Sequence, residues 1–313
     1  MTNFILCKPF NQRKNHTLLI LFILIILFNA SGSFAKKLSM EEAEHAGDSI
    51  IPEAILPFWQ SLTLKEKVAQ TLMVYMPSAS YIKKHQFGGV LIMKPHLKDT
   101  LHLKEKLNLA NESLKIPLLT AIDQEGGKVN RLQAISPEWK NLPSAKEMRI
   151  MADDSVYNLA KLIGNALHHY GINLNLAPVL DPPKDSKGKP SFIEVSNRSF
   201  GEFETAVPKI RAFVQGMKES KVLSTSKHFP GYDSWTNSDH QIAFSTSSKD
   251  VILKNVELFK EFADEIPVIM LSSVRFVRLS NTPAVFNPKI TAMAREISPY
   301  TVLLTDDLWG VSL

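Results

Sequence analysis

Short hydrophobic runs alternate with amphipathic helical patterns from about residue 62 to the end of the chain. Each run is apolar through its body and ends in polar residues, which is typical of parallel strands that are buried on both faces. Seven strands are predicted in this way, at residues 72–76, 89–93, 118–123, 173–181, 223–228, 268–272 and 302–306.

Between these runs, apolar residues recur at intervals of three and four, which places them on one face of a helix. Thr63 and Glu66 form a capping-box pattern that predicts the start of the first of these helices. Strands that alternate with helices indicate βα units and a parallel sheet. Two folds fit this pattern equally well: a TIM (β/α)₈-type barrel of roughly 250 residues and a doubly wound open sheet.

The N-terminal segment has the order of a secretory signal peptide. Residues 1–17 are polar and basic, residues 18–28 are uninterruptedly apolar, and Ser33 and Ala35 supply small residues before a cleavage site. We predict cleavage after Ala35 and a periplasmic or secreted protein that keeps no membrane span. The alternative is an uncleaved anchor, although eleven apolar residues are few for a span. Residues 36–61 are interpreted as a lead-in segment and residues 62–313 as the barrel domain.

Composition excludes several classes of protein. A chain of 313 residues with 44% hydrophobic and 21% charged residues is globular rather than disordered or coiled coil. One cysteine, Cys7, excludes an intrachain disulfide framework and a multi-cysteine metal site. The net charge of +5 falls to +2 without Lys8, Arg13 and Lys14 of the first 35 residues, so the charge predicts no nucleic-acid partner. We predict no metal and no cofactor.

Polar residues gather after three of the predicted strands. The third strand leads into Asp123-Gln124-Glu125-Gly126-Gly127, in which paired glycines allow a sharp turn, although such a turn by itself is more often only structural. The fifth strand ends in Lys227-His228 before Pro230-Gly231, and the seventh ends in Asp306-Asp307. In a barrel, these strand ends meet at the face where active sites lie.

Five motifs occur together in this order: DQEGGKVNRL at 123–132, LAPVLD at 176–181, NRSFG at 197–201, KHFPG at 227–231 and TDDL at 305–308. They resemble glycoside hydrolase family 3, and within it the branch of single-domain β-N-acetylhexosaminidases. The resemblance covers about residue 62 to the end of the chain. It implies the barrel rather than the open sheet, and a retaining glycosidase that removes β-linked N-acetylglucosamine from cell-wall or other glycans without a cofactor.

The resemblance also implies roles for individual residues. Asp306 matches the nucleophile, and His240 matches the histidine that serves as general acid/base, a role that an imidazole titrating near neutrality suits. The residues implied to line the sugar pocket are Asp123, Arg131, Arg198, Lys227 and His228.

The loop that carries His240 departs from the pattern of this branch. There the loop usually reads Lys-His-Phe-Pro-Gly-His-Gly and ends Asp-Ser-His, whereas this chain has Tyr232-Asp233 and ends Ser238-Asp239-His240. We therefore predict that Asp239 takes over the role of orienting His240. The alternatives are a non-catalytic glycan-binding relic of the fold and a β-glucosidase of the same family.

The second departure is the end of the chain, which lies seven residues after Asp306. A complete barrel needs an eighth strand, so we predict a C-terminally incomplete barrel, from a fragment or a damaged gene. The edges of its first and seventh strands are predicted to be unpaired, which is an aggregation hazard.

Overall fold

The computed structural model describes residues 5–7, 54–298 and 300–313. The rest of the predicted signal peptide and most of the lead-in segment lie outside the described residues. The two folds that the pattern left open are separated by the course of the sheet.

One mostly continuous parallel sheet organises the chain. Its strand order is β1-β2-β3-β4-β5-β6-β8-β10, so strands that neighbour in sequence also neighbour in the sheet, as in a barrel and unlike a doubly wound sheet. These strands are β1 (Ile5–Cys7), β2 (Leu72–Tyr75), β3 (Gly89–Ile92), β4 (Leu119–Ile122), β5 (Leu174–Asn175), β6 (Leu223–Phe229), β8 (Val268–Leu271) and β10 (Val302–Thr305). Two short strands, β7 (Phe244–Ser245) and β9 (Arg275–Phe276), pair separately.

Helices lie between the strands and cover the outside of the sheet. The Thr63 side chain accepts from the backbone of Glu66 and Glu66 reaches back, so the predicted capping box is confirmed. The helices are α1 (Leu56–Ser61), α2 (Leu64–Gln70), α3 (Ala79–His85), α4 (Thr100–Asn111), α5 (Ala145–Met148), α6 (Asp153–His169), α7 (Phe192–Val195), α8 (Phe203–Glu219), α9 (Lys249–Glu261) and α10 (Pro288–Ile297). Short 3₁₀ turns occupy Lys94–Lys98, Leu132–Ala134, Pro137–Trp139 and Ala284–Phe286.

Alternate residues of each strand enter two different cores. In β2, Met73 and Tyr75 belong to a small cluster on the concave side of the sheet, while Val74 packs against the larger cluster beneath the helices. In β3, Leu91 faces the concave side and Val90 faces the helices. Because successive side chains of a strand point to opposite faces, apolar runs without alternation are what a sheet covered on both sides requires.

The seven predicted strands are confirmed with small changes at their ends. The fourth is the exception, because its predicted span of residues 173–181 shortens to Leu174–Asn175. Pro178 has no N–H to donate, so a continuous ladder cannot run through this stretch. The curled parallel sheet with outer helices confirms the TIM-type barrel fold as a partial barrel.

The prediction that the edge of the first barrel strand is unpaired is wrong in this structure. Ile5–Cys7 pairs with β2 in parallel register, with Ile5 opposite Leu72 and Cys7 opposite Val74. The same segment contacts β10 on its other side. The free N–H and C=O groups of an edge strand are a template for a further strand, and an N-terminal segment supplies that strand here.

None of the helices in the described part of the chain combines the length and the hydrophobicity of a membrane span.

The contact between α6 and α8 yields a stability prediction at Gly216. A Cβ on this glycine would lie 2.6 Å from the carbonyl oxygen of Tyr157 and 2.7 Å from the backbone nitrogen of Lys161. Alanine gains about 1 kcal/mol in helix propensity, but overpacking against backbone atoms costs about 1–3 kcal/mol. We expect Gly216→Ala to lower the free energy of unfolding in urea by about 1 kcal/mol. Gln215→Ala, an exposed neighbour on the same helix, is the control, and equal stability of both variants would contradict the close packing.

Candidate active site

Two carboxylates and two cations form a continuous ion-pair network at the carboxyl ends of β4 and β6. Lys227 Nζ lies 2.9 Å from Asp123 Oδ1 and 2.6 Å from Glu125 Oε1. Arg198 donates to both carboxylate oxygens of Glu125, from Nε and Nη2, at 2.8 Å each. The Lys227 side chain is 2% exposed, so its charge depends on these two carboxylates for compensation.

The network holds its members in their charged forms. Burial alone would raise the pKa of Asp123, but the charges of Lys227 and Arg131 outweigh it and hold that pKa below its usual range. Burial opposes the charged form of Glu125 as well, yet Arg198 and Lys227 hold its pKa well below the ordinary value. The pKa of Lys227 is raised by Asp123 and Glu125 in spite of its burial. The site is therefore a fixed array of full charges.

A glycine turn places Glu125 in this array. Gly126 has φ +93°, and a Cβ there would lie 2.1 Å from the carbonyl oxygen of Pro143, so no other residue fits. The backbone N–H of Glu125 donates to Val129 O across the turn at 2.9 Å. The Gly-Gly pair thus brings a carboxylate back toward Lys227 directly after β4.

Arg131 stands at the edge of the network. Its Nη2 lies 3.8 Å from Asp123 Oδ2, and its backbone N–H donates to the buried Gln124 side chain at 2.8 Å. Its Nε is buried and has no hydrogen-bond partner among the described residues. A buried N–H without a partner costs free energy.

Asp181 orders the end of β6. Its carboxylate accepts from His228 Nδ1 at 2.6 Å, from the backbone N–H of His228 at 2.8 Å and from that of Tyr232 at 2.7 Å. This pairing places a proton on Nδ1 of His228 and leaves Nε2 for a ligand. Asp181 therefore orders the residues at and after the end of β6 through contacts within the protein.

The carboxylate of Asp306 is held by two hydrogen bonds at the end of β10. Ser273 Oγ donates to Oδ2 at 2.9 Å, and the backbone N–H of Asp307 donates to Oδ1 at 2.8 Å. Tyr75 donates to the neighbouring Asp307 at 3.2 Å. Burial raises the pKa of Tyr75, and Asp307 and Asp123 raise it further, so both ends of the site act on this phenol.

The structure does not form the predicted contact between Asp239 and His240. Both residues are exposed in a turn that follows Asn237, and within the described chain no hydrogen bond or ion pair joins their side chains. The turn is closed instead by Asn237, whose Oδ1 accepts from the backbone N–H of Asp239 at 3.1 Å and whose carbonyl accepts from that of His240 at 3.2 Å.

The structure brings together most of the residues proposed from the sequence. Asp123, Arg131, Arg198 and Lys227 share the network, His228 follows Lys227 directly, and Asp306 lies at the end of β10, two places along the sheet from β6. The sequence-based assignment missed Glu125, which lies within the first motif, and also Ser273, Tyr75 and Asp307. A carboxylate between a strand end and a Gly-Gly turn was a visible signal for Glu125. Asp307 lies in the last motif beside Asp306, whereas nothing in the sequence marked Ser273 or Tyr75 as partners of the site.

Charged donors and acceptors that converge at the carboxyl ends of barrel strands define a class of site. Fixed carboxylates, cations and a histidine suit a neutral ligand rich in hydroxyl groups, and an oriented carboxylate beside them suits glycosidic chemistry. The class is that of a barrel glycosidase. The chain belongs to glycosyl hydrolase family 3, because the model of that family's N terminal domain matches residues 63–297.

Similar proteins agree with this family. A beta-hexosaminidase of Pseudomonas aeruginosa is 28% identical over 238 residues, which cover 72% of this chain and 68% of that protein. The structure of a beta-N-acetylhexosaminidase from Beutenbergia cavernae has a TM-score of 0.68 and 25% identity, covering 80% of each chain. A family 3 beta-N-acetylglucosaminidase from a Paenibacillus species has a TM-score of 0.69 and 27% identity, covering 80% of this chain and 50% of that one. The protein is a glycosidase of this family, and these relatives are beta-hexosaminidases or beta-N-acetylglucosaminidases.

No group of three or more His, Cys, Asp or Glu side chains in the described part of the chain is arranged to hold a metal ion.

The central position of Glu125 yields a prediction for Glu125→Gln. The neutral side chain leaves Arg198 and Lys227 with one carboxylate fewer, and breaking a buried ion pair costs about 3–5 kcal/mol. We expect a loss of about 3 kcal/mol in the free energy of unfolding, measured in urea at pH 7. Glu219→Gln, which alters an exposed pair with Lys161, is the matched control and should change stability little.

Glu125→Gln should also change how the free energy of unfolding depends on pH. Because the folded-state pKa of Glu125 is lowered, its contribution is complete above the unfolded value of about 4.3 and is lost as the pH falls below it toward the folded value. The stability of the wild type should therefore decline on the acid side more steeply than that of Glu125→Gln. Parallel pH curves would show that Glu125 is not paired in the folded protein.

Proposed function

We propose that the protein is an exported, retaining β-N-acetylhexosaminidase that releases β-linked N-acetylglucosamine from glycans through a covalent glycosyl-enzyme on Asp306. The observation that carries this proposal is the oriented carboxylate of Asp306 beside a preformed array of charges. Peptidoglycan is the substrate class that an exported enzyme of this specificity would meet.

The orientation of the Asp306 carboxylate supports its proposed role as the nucleophile. Hydrogen bonds from Ser273 and from the Asp307 amide hold both of its oxygens, so little reorganisation precedes attack. An ionised carboxylate stabilises the oxocarbenium-like transition state and then bonds to the anomeric carbon. Water subsequently displaces the enzyme, and the two inversions together retain the configuration.

The ion-pair network provides the groups that bind the sugar. Charge-assisted hydrogen bonds are stronger than neutral ones, and Asp123, Arg131 and Lys227 present charged acceptors and donors to hydroxyl groups. Because Asp123 and Glu125 balance the charges of Lys227 and Arg198, a neutral sugar can bind without breaking these buried ion pairs. His228 is oriented by Asp181 and provides its Nε2 as a further hydrogen-bonding atom for the sugar.

His240 is proposed as the general acid/base, with Asp239 as the carboxylate that orients it. An imidazole near neutrality protonates the departing oxygen and then deprotonates the incoming water. In the described conformation the two side chains lie apart on the surface, so this role requires the loop to adjust when substrate binds.

The open position of His240 also favours a second candidate function, a non-catalytic glycan-binding relic. In that case the sugar pocket would bind N-acetylglucosamine and no hydrolysis would occur. A chromogenic β-N-acetylglucosaminide and the corresponding β-glucoside separate the alternatives, because hydrolysis of neither supports the relic and preferential hydrolysis of the glucoside supports a β-glucosidase.

Removal of the Asp306 carboxylate tests the nucleophile. We expect Asp306→Ala to lower hydrolysis of 4-nitrophenyl β-N-acetylglucosaminide by roughly 10³-fold or more, as when other covalent nucleophiles are removed. Calorimetry should show that binding of N-acetylglucosamine survives, since other residues bind the sugar.

Azide gives this experiment a positive readout. The cavity left by the carboxylate admits azide to the opposite face of the anomeric carbon, so Asp306→Ala with azide should form the α-glycosyl azide. Asp264→Ala, at an exposed acid, is the control. Near-normal turnover in Asp306→Ala would remove Asp306 from the mechanism.

The export proposal rests on the basic, apolar and small-residue order of the first 35 residues. It predicts a mature protein outside the cytoplasm that begins at Lys36, which N-terminal sequencing measures directly. In that protein, Ile5–Cys7 is absent and the edge of β2 is open. A protein that starts at Met1 in the cytoplasmic fraction would contradict processing and would retain the Ile5–Cys7 strand.

A further inference from the structure

Tyr232 is buried at the junction between the sugar pocket and the loop that carries His240. It is 3% exposed and follows the Pro230-Gly231 turn at the end of β6. Its backbone N–H donates to Asp181 at 2.7 Å, and Asp181 also accepts from His228. The rings of Tyr232 and His228 meet edge to face with centroids 5.8 Å apart. One carboxylate therefore ties this tyrosine to a sugar-pocket residue.

The phenol of Tyr232 lies inside the loop. Its hydroxyl donates to the carbonyl oxygen of Thr236 and accepts from the backbone N–H of Ser238 at 2.8 Å. Thr236 and Ser238 are themselves buried, so water does not replace these bonds readily. The segment from Asp233 to Ser238 is thus closed around one side chain.

The turn that carries His240 begins where the phenol holds the chain. The carbonyl of Asn237, between the two residues bonded to the phenol, accepts from the backbone N–H of His240 at 3.2 Å and from that of Gln241 at 3.0 Å. The carbonyl of Ser238 accepts from the backbone N–H of Ser312 at 3.3 Å. A displacement of Ser238 would therefore be transmitted to His240 within two residues.

The protonation state of the phenol suits this role. Burial raises the pKa of Tyr232 to about 12, hydrogen bonds from Ser238 work in the opposite direction, and the nearby carboxylates of Asp306 and Asp181 add to the rise. The hydroxyl therefore remains a donor to Thr236 at neutral pH.

We propose that Tyr232 is a positioning residue whose phenol fixes the base of the His240 loop and couples it to the Asp181–His228 pair of the sugar pocket. The loop of the related branch usually carries histidine at this position and aspartate at that of Ser238, so tyrosine and a buried serine form a different support. This inference rests on the proposed function, because it assigns His240 as the group that is positioned.

Tyr232→Phe in the full chain tests the proposal, since it keeps the buried ring and removes only the hydroxyl. General acid catalysis increases the rate by about 10²–10⁴-fold, and an acid that is held in the wrong position provides only part of this increase. We expect kcat/KM for an N-acetylglucosamine disaccharide to fall about 10–100-fold, with a less than about threefold change for the 4-nitrophenyl glycoside, whose leaving group needs little protonation. His240→Ala should show the same selectivity, and Tyr81→Phe, at an exposed tyrosine, should show none.

Amide hydrogen exchange provides a readout that is independent of activity. The Ser238 amide loses its acceptor in Tyr232→Phe, so peptides that cover residues 233–241 should exchange about tenfold faster or more, while peptides from β6 keep their protection. Unchanged exchange in the loop would overturn the proposal. So would an equal loss of kcat/KM on both substrates, which is what a purely structural defect would produce.

The two proposals fail in different ways. A wild-type protein that hydrolyses neither substrate refutes the proposed function, and the exchange experiment then still decides whether the phenol holds the loop. A wild-type protein that is active, together with a Tyr232→Phe variant that is active on both substrates at wild-type rates, refutes the positioning role alone.

Discussion

The need to compensate the positive charge of one buried lysine governs the layout of the site. Lys227 extends from a central barrel strand with almost no exposure, and a buried ammonium ion is tolerated only when carboxylates surround it. Asp123 and Glu125 provide these carboxylates from the loop after β4, and Glu125 in turn binds Arg198 in a bidentate pair. Three segments that are far apart in the chain are thereby held in one arrangement before any sugar arrives.

A preorganised array of this kind has a functional consequence. Charges that are already balanced and oriented need little rearrangement when substrate binds, which is the condition under which electrostatic stabilisation of a transition state is most effective. Asp306 is prepared in the same way, by a serine hydroxyl and a backbone amide. The rigid part of the site is thus built on strand ends, while the proposed proton donor is carried by a loop.

In the loop that carries His240, two residues differ from those usual in the related branch, and the loop is still held by hydrogen bonds. Tyr232 and Ser238 replace the residues that are usual in the related branch, and together they form a hydrogen-bonded support in place of an Asp–His contact. Asp239, the nearest acid in sequence, is turned to solvent because Asn237 closes the turn through the backbone. Adjacency in sequence therefore did not translate into contact.

The sequence by itself determined the parallel strands, the helices between them and the residues that gather at strand ends. The hydrophobic pattern fits a barrel and an open sheet equally well, and the resemblance of five motifs to a known family selected the barrel. These features depend on local hydrophobic periodicity and on motifs whose spacing is visible along the chain. Only the tertiary structure showed that Glu125 is central, that Ser273 supports Asp306 and that Ile5–Cys7 pairs with β2. These contacts join residues that are distant in sequence or, like Glu125 and its turn, depend on side-chain direction. Hydrophobic periodicity carries no information about which distant polar groups meet, because that choice follows from the closure of the sheet and the need to compensate buried charge.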